Sequence, residues 1–320
     1  MFENFARNLK RVPLSKLWTP ILLVILLVIF GSQYPTFLSM KNINNLLVQM
    51  AILLTASMGM SLVILMGSID VSVGATLTIT GVFAAMTSPI FGAASILIGI
   101  LVGIAVGLVN GLLATFLKIP TFLSTIAMMG ILNGMAILVL KGSPYNIASK
   151  SFLSIAKGSF LIGISNLITI PIIVVILTLL ITKKTVLGRI VYAIGNNEYV
   201  CQYSGINVVG IQTLVFMIHG AIIGLAGSMQ ASMLEAACPY MGDTYTLSII
   251  AIVVMGGIPL SGGRGGPLGT VLGAMMVTIL ISGLNFMSVT PEFRNVAMGT
   301  LIIVGALISN AGRPKAVTVK

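Results

Sequence analysis

The chain has 320 residues, 57% of them hydrophobic and only 7% charged, with a mean hydropathy of +1.13 and a net charge of +11. Soluble domains carry about 25% charged residues, so this chain cannot cover a water-facing surface, whereas a bilayer suits it: a spanning helix satisfies its own backbone and needs about 20 apolar residues. Nucleic acid is excluded as the reason for the basic excess, because the bases gather at the ends of apolar stretches, as orientation by cytoplasmic Lys and Arg requires.

Gaps between charges predict the spans. The first uncharged stretch runs from Leu17 to Met40; it exceeds a signal-peptide core and lacks an Ala-x-Ala cleavage site, so it reads as a retained helix. Asn42 to Ile69 follows, and then Val71 to Leu117, long enough for two helices with the break at Ser88-Pro89 and Gly92. Ile119 to Leu140, Gly158 to Thr182, Tyr199 to Leu234, Thr244 to Gly263, Gly265 to Pro291 and Asn295 to Gly312 each hold one. The expected fold is an all-α integral membrane protein of about ten transmembrane helices, with residues 1–320 as a single domain. Arg7, Lys10, Arg11 and Lys16 place the N-terminal segment, residues 1–18, in the cytoplasm, and alternation then puts the C-terminus there too. The outer loop from Lys141 to about Ile164 is too short for a core and is expected to hold a re-entrant or surface helix.

Several residues inside the spans stand out. Asp70 is the only charge between Lys41 and Lys118, and three readings of it stay open: a cap for the helix beginning near Val71, a gate or path residue, or a proton or cation site. Met66 to Gly74 also resembles Met255 to Gly263, with five identities in nine; in both, an apolar run meets Gly and Ser, so both are candidates for the lining or gate of a path. Gly99, Gly103, Gly107 and Gly111 recur every four residues, as do Gly220 with Gly224 and Gly269 with Gly273, a pattern for close packing or for helices that slide. His219 has no second ligand type at a helical spacing and reads as a packing residue, and Cys201 and Cys238 fall on opposite sides and cannot pair.

Between Lys183 and Ile206 lies the one long polar interruption, a place where a soluble partner could grip the protein. The chain has no phosphate loop, since Ser261 to Pro267 is glycine-rich but lacks the lysine, and no cluster with metal spacing. If ATP drives the protein, another chain binds it.

Four blocks carry a resemblance. Gly67-Ser-Ile-Asp-Val-Ser-Val-Gly74, then Asn110-Gly111 with Ile119-Pro120-Thr121-Phe122 and Thr125, then Gly188 to Asn197 continuing to Ser204-Gly205-Ile206, and last Gly256 to Gly265 with Gly283-Leu284-Asn285, resemble in this order the permease subunits of bacterial ATP-binding-cassette importers for simple sugars, the branch that includes ribose and autoinducer-2 systems. The resemblance extends from about Asn42 to Ile308. It departs at Asn196, where a glycine is usual, at Tyr199-Val200-Cys201, where small alanines are common, and at Thr246 and Ser248, where Glu and Asp are frequent near the expected outer mouth.

The resemblance implies that residues 183–206 hold a short coupling helix seated on a cytoplasmic ATPase subunit, with Gly188, Arg189, Tyr192, Ala193, Gly195, Asn196 and Asn197 as its coupling residues. It implies a dimer with a second permease copy or paralogue, a path at the two-fold interface, an extracytoplasmic sugar-binding protein, and ATP and Mg held by the partner ATPase, with no cofactor on this chain. Few charges line the spans, so the solute is expected to be a neutral monosaccharide, met by weak polar contacts from Asp70, Ser72, Asn110, Thr125 and Asn285. The rival reading is a secondary carrier that uses Asp70 or His219 as a proton relay without an ATPase.

Overall fold

The computed structural model describes residues 14–159 and 164–311, so the N-terminal bases Arg7, Lys10 and Arg11 and those at the C-terminus lie outside the described residues. The described chain is built of helices: α1 (Leu14–Gln33), α2 (Met40–Leu65), α3 (Val73–Phe91), α4 (Ser95–Thr115), α5 (Thr121–Leu140), α6 (Lys150–Lys157), α7 (Asn166–Lys184), α8 (Val186–Asn196), α9 (Glu198–Tyr203), α10 (Val208–Leu234), α11 (Asp243–Met255), α12 (Pro267–Phe286) and α13 (Pro291–Ala311). Among the described residues, 7 runs are long and apolar enough to cross a membrane, and the longest, Val73–Thr115 with 43 residues, contains both α3 and α4. The break between them is the 3-10 turn Gly92–Ala94; Ser88-Pro89 belongs to the last turn of α3.

Two expectations about boundaries need correction. The stretch from Tyr199 to Leu234 is not one helix: α9 ends at Tyr203, and α10 starts at Val208 behind Asn207, whose side chain caps the Gly210 amide at 3.0 Å. The stretch from Thr244 to Gly263 holds only the 13-residue α11, about 20 Å at 1.5 Å per residue and too short to cross a bilayer. The chain then continues to Gly266 without regular structure, which membrane depth tolerates only where protein satisfies the backbone.

The core is a seam between α4 and α10. A Cβ on Gly103 would strike the Gly220 carbonyl oxygen, and one on Gly220 would strike that of Gly103; Gly99 meets Gly224 and Ser228 in the same way, and Gly107 meets Phe216. These glycines are therefore packing devices that bring two backbones together. Gly103→Leu is expected to cost about 3 kcal/mol or more, the upper end of overpacking penalties, because the opposing atoms are backbone. The apparent melting temperature of the detergent-solubilised protein measures it.

On the side expected to be outer, α6 is the short helix anticipated in the loop after Lys141. It buries Phe152, Ile155 and Ala156, and Ser232 Oγ of α10 pins it by donating to the Phe152 carbonyl at 3.0 Å and accepting from the Ala156 amide at 3.1 Å. Beside it, Tyr145–Asn146 pairs antiparallel with Ala236–Ala237. Lys157 and Glu235 are 2.6 Å apart but both more than half exposed, which makes their pair a weak tether. Both cysteines are free, Cys201 buried and Cys238 half-buried.

Candidate functional site

The segment between α2 and α3 leaves the helix at Gly67, whose φ of +84° suits glycine. The Gly67 amide donates to the Ile64 carbonyl at 2.9 Å and the Ser68 amide to Val63 at 3.2 Å. At the end of α11, Gly257 also has φ +84°, its amide bonds Val254 at 2.9 Å, and the Ile258 amide bonds Val253 at 3.3 Å. The sequence echo is thus a repeated helix-ending device, but in a register one residue away from the one the identities suggest: Gly67 matches Gly257, not Gly256. The two segments also touch, since a Cβ on Gly262 would run into the Gly67 amide and the Leu65 carbonyl.

Downstream of Gly67, hydroxyls from α5 satisfy the irregular backbone: Thr121 Oγ1 accepts from the Ile69 amide at 3.4 Å and Thr125 Oγ1 from the Val71 amide at 3.0 Å. Asp70 Oδ1 accepts from the Ser72 amide at 2.7 Å and the Ser72 hydroxyl at 2.6 Å, so Asp70 holds the start of α3 from outside the cap position itself, which Ser72 occupies. Asp70 Oδ2 receives Asn110 Nδ2 at 3.3 Å and lies 3.3 Å from His219 Nε2, close enough for an ion pair although not aligned as a hydrogen bond. Asn110 Nδ2 also donates to Ser72 Oγ at 2.9 Å. His219 Nδ1 lies where only Gly59 leaves room, a Cβ there coming within 2.9 Å of it.

Asp70, Ser72, Asn110, Thr125 and His219 are each at most 2% exposed, so the structure brings four of the five expected path residues into one sealed polar cluster, together with a histidine read from the sequence as packing only. In this conformation they face one another rather than an open route. The fifth, Asn285, is set apart from them: it is exposed, in the last turn of α12, next to Phe286, whose ring meets Tyr34 at a tilt and Phe37 edge-on, at ring distances of 5.7 and 5.4 Å. Thr246 and Ser248, expected near a mouth, are instead buried, and Thr246 Oγ1 abuts Gly74 of α3.

The polar loop forms α8, begun by Thr185, whose hydroxyl accepts from the Gly188 amide at 3.2 Å. Its residues dock on the irregular Gly256 to Gly266 segment. Tyr192 Oη donates to the Gly265 carbonyl at 2.8 Å, and burial pushes its phenol pKa up. Asn196 Nδ2 reaches the Gly263 carbonyl at 3.3 Å, and Gly195 sits so close that a Cβ would strike the Leu65 carbonyl and the Gly263 amide, themselves hydrogen-bonded at 2.8 Å. A continuous chain of contacts therefore leads from α8 through Gly263 and Leu65 to Gly67 and Asp70.

Of the seven expected coupling residues, Gly188, Tyr192, Ala193, Gly195 and Asn196 make intrachain contacts, while Arg189 and Asn197 are exposed, Asn197 capping α9 by accepting from the Val200 amide at 3.1 Å. The sequence reading missed the exposed face of α9, where Tyr199, Val200 and Tyr203 are 73%, 57% and 92% exposed. The signal was present in the departure from small alanines at Tyr199-Val200-Cys201.

Residues 42–306 match the family described as the permease component of the branched-chain amino acid transport system. The chain belongs to this permease family. Within it, the chain is 38% identical over 290 residues to the ribose import permease of Bacillus subtilis (strain 168), covering 89% of this chain and 90% of the relative. The ribose import permease of Haemophilus influenzae is 36% identical over 298 residues, 91% of each chain, and the galactose/methyl galactoside import permease of the same organism is 31% identical over 308 residues, 90% of this chain and 92% of that one. No solved structure matches the chain. This permease is thus an all-α, multi-pass membrane protein and a transport component.

Proposed function

We propose that this permease is the membrane subunit of an ATP-driven importer that moves a neutral monosaccharide, ribose-like or related, across a bacterial cytoplasmic membrane by alternating access. The names of relatives matched over about nine-tenths of the chain support the sugar. The observation that carries the coupling is α8, a helix between two spans that is hydrogen-bonded to the segment after α11 and packed against the last residue of α2. In this reading residues 1–320 form a single permease domain, 1–18 is a cytoplasmic segment, and 183–206 is the coupling loop. Ten crossings, by α1–α5, α7, α10, the half-helix α11 together with the irregular segment after it, α12 and α13, leave both termini in the cytoplasm. That arrangement puts twelve bases inside against five outside.

A second copy or a paralogue completes the path, an extracytoplasmic protein delivers the sugar, and a separate ATPase binds ATP and Mg and carries the hydrolysis; this chain needs no cofactor of its own. Arg189 and the exposed edge of α8 and α9 meet the ATPase, while Gly188, Tyr192, Ala193, Gly195, Asn196 and Asn197 keep α8 seated. Asp70, Ser72, Asn110 and Thr125 then serve the gate by holding the α2–α3 segment, and Asn285 belongs to the outer end.

The test is sugar uptake in proteoliposomes containing the permease, the ATPase and the binding protein of its organism. Uptake is expected to need ATP and to fall at least about tenfold in Arg189→Glu, the effect of reversing one charge in a desolvated contact. A proton-coupled carrier would use the Asp70–His219 pair, 3.3 Å apart and closed to solvent here. Uptake by the permease alone on a proton gradient, indifferent to Arg189→Glu, would establish that carrier instead.

A further inference from the structure

One acid in the body of the fold has no cation near it. Asp243 is the first residue of α11 and is exposed, and its carboxylate accepts from Asn133 Nδ2 of α5 at 3.3 and 3.4 Å. Among the described residues only Lys157–Glu235 and His219–Asp70 come within ion-pair distance. Asp243 is also not at a helix end outside the membrane. The preceding Gly242 amide donates to Thr78 Oγ1 at 2.9 Å in the body of α3, and Asn133 lies about 10 Å inside the end of α5 at 1.5 Å per residue.

A carboxylate at that depth cannot face lipid without a large cost, and such residues turn toward a water-filled route or a partner. Two further observations favour a ligand. Asn133 Oδ1 is shut away from solvent within the chain and has no hydrogen-bond partner, and Gly130 and Gly134, on either side of Asn133, have nothing within 4 Å of a would-be Cβ. In the same turn, Tyr240 is 49% exposed, and its carbonyl accepts the Asp243 amide at 3.1 Å. Two carboxylate oxygens, an amide N–H donor beside them and an exposed phenol ring suit neighbouring hydroxyls and the carbon face of a sugar. No group of three metal-binding side chains is present among the described residues, so a cation site finds no support.

We propose that Asp243 and Asn133 form a solute-contact site for the vicinal hydroxyls of a neutral monosaccharide, a site that rests on the importer reading above. The experiment reconstitutes the permease with its ATPase and binding protein and supplies D-ribose and D-galactose, measuring sugar moved per ATP hydrolysed. Asp243→Asn and Asn133→Ala are each expected to lower that ratio about tenfold or more, the loss of one charge-assisted hydrogen bond, while ATP hydrolysis stimulated by the loaded binding protein stays within about twofold. In parallel, Asp243→Cys in a Cys238→Ser background is expected to react with a membrane-impermeant maleimide, more slowly when loaded binding protein is present.

If the unaltered complex moves sugar and both variants match it in sugar per ATP, the site is wrong and the importer reading stands. If the unaltered complex moves neither sugar, the importer reading fails first, and maleimide labelling then decides whether Asp243 faces water: no labelling in any state overturns the site independently. Should Asp243→Asn fail to assemble, Asn133→Ala and the labelling carry the decision.

Discussion

Gly195→Ala is expected to cut ATP-driven uptake about a hundredfold while leaving the permease in the membrane. The added Cβ would meet the Leu65 carbonyl and the Gly263 amide, two backbone groups bonded to each other, so neither can yield without opening the joint between the end of α2 and the irregular segment after α11. Alanine is an ordinary helix residue, so α8 itself still forms; what changes is its seat. If α8 carries force from the ATPase, a displaced seat should lower uptake by about a hundredfold, the penalty of a misplaced catalytic or coupling element, with detergent stability reduced by no more than about 1–3 kcal/mol. Uptake and ATP hydrolysis are measured together in proteoliposomes. Normal coupling in Gly195→Ala would remove α8 as the transmitting element.

The second large effect is expected at His219. Replacing it by alanine removes the imidazole that lies 3.3 Å from Asp70 and leaves a carboxylate 2% exposed with Asn110 and Ser72 alone. Breaking one side of a buried pair costs about 3–5 kcal/mol. Asp70→Asn should cost less, since the amide oxygen can still accept from Ser72. The double variant should cost less than the two singles together, because neither residue then strands the other. Unfolding of the four proteins in detergent closes the cycle; a His219→Ala protein destabilised by less than about 1 kcal/mol would show that the pair contributes nothing.

Charge spacing made the helical architecture legible, because lipid forces charge to the ends of spans, and the glycine seams were legible because close helix packing has a fixed period of four. The same spacing hid Asp243. A reading that begins each span after the last charge sets an acid at a span's edge by construction, so Asp243 became the edge of a loop, when the fold sets it at the head of a 13-residue half-helix lodged against Thr78. The cluster around Asp70 was half legible: the motif marked Asp70, Ser72, Asn110 and Thr125 together, but His219 joins them only because α10 crosses α4 where Gly103 and Gly220 meet, a tertiary fact that no local spacing encodes. The register of the internal echo failed for a related reason. Residue identities favoured matching Met66 with Met255, whereas the backbone is organised by the position that turns left-handed, and that is Gly67 and Gly257.

The reciprocal contact of Gly103 and Gly220 has one more consequence. Each glycine fills the space in front of the other's carbonyl, so a slide of α4 along α10 by a fraction of a turn would take the glycines out of register and press their flanking atoms toward backbone oxygen. A step of one whole turn, about 5.4 Å, would set Gly107 against Gly220 and keep glycine at the contact, whereas smaller displacements would not. Gradual shear along this seam is opposed, and a solute's passage is more easily accommodated by rotation of the pair as one strut about yielding joints elsewhere, which is hinge motion.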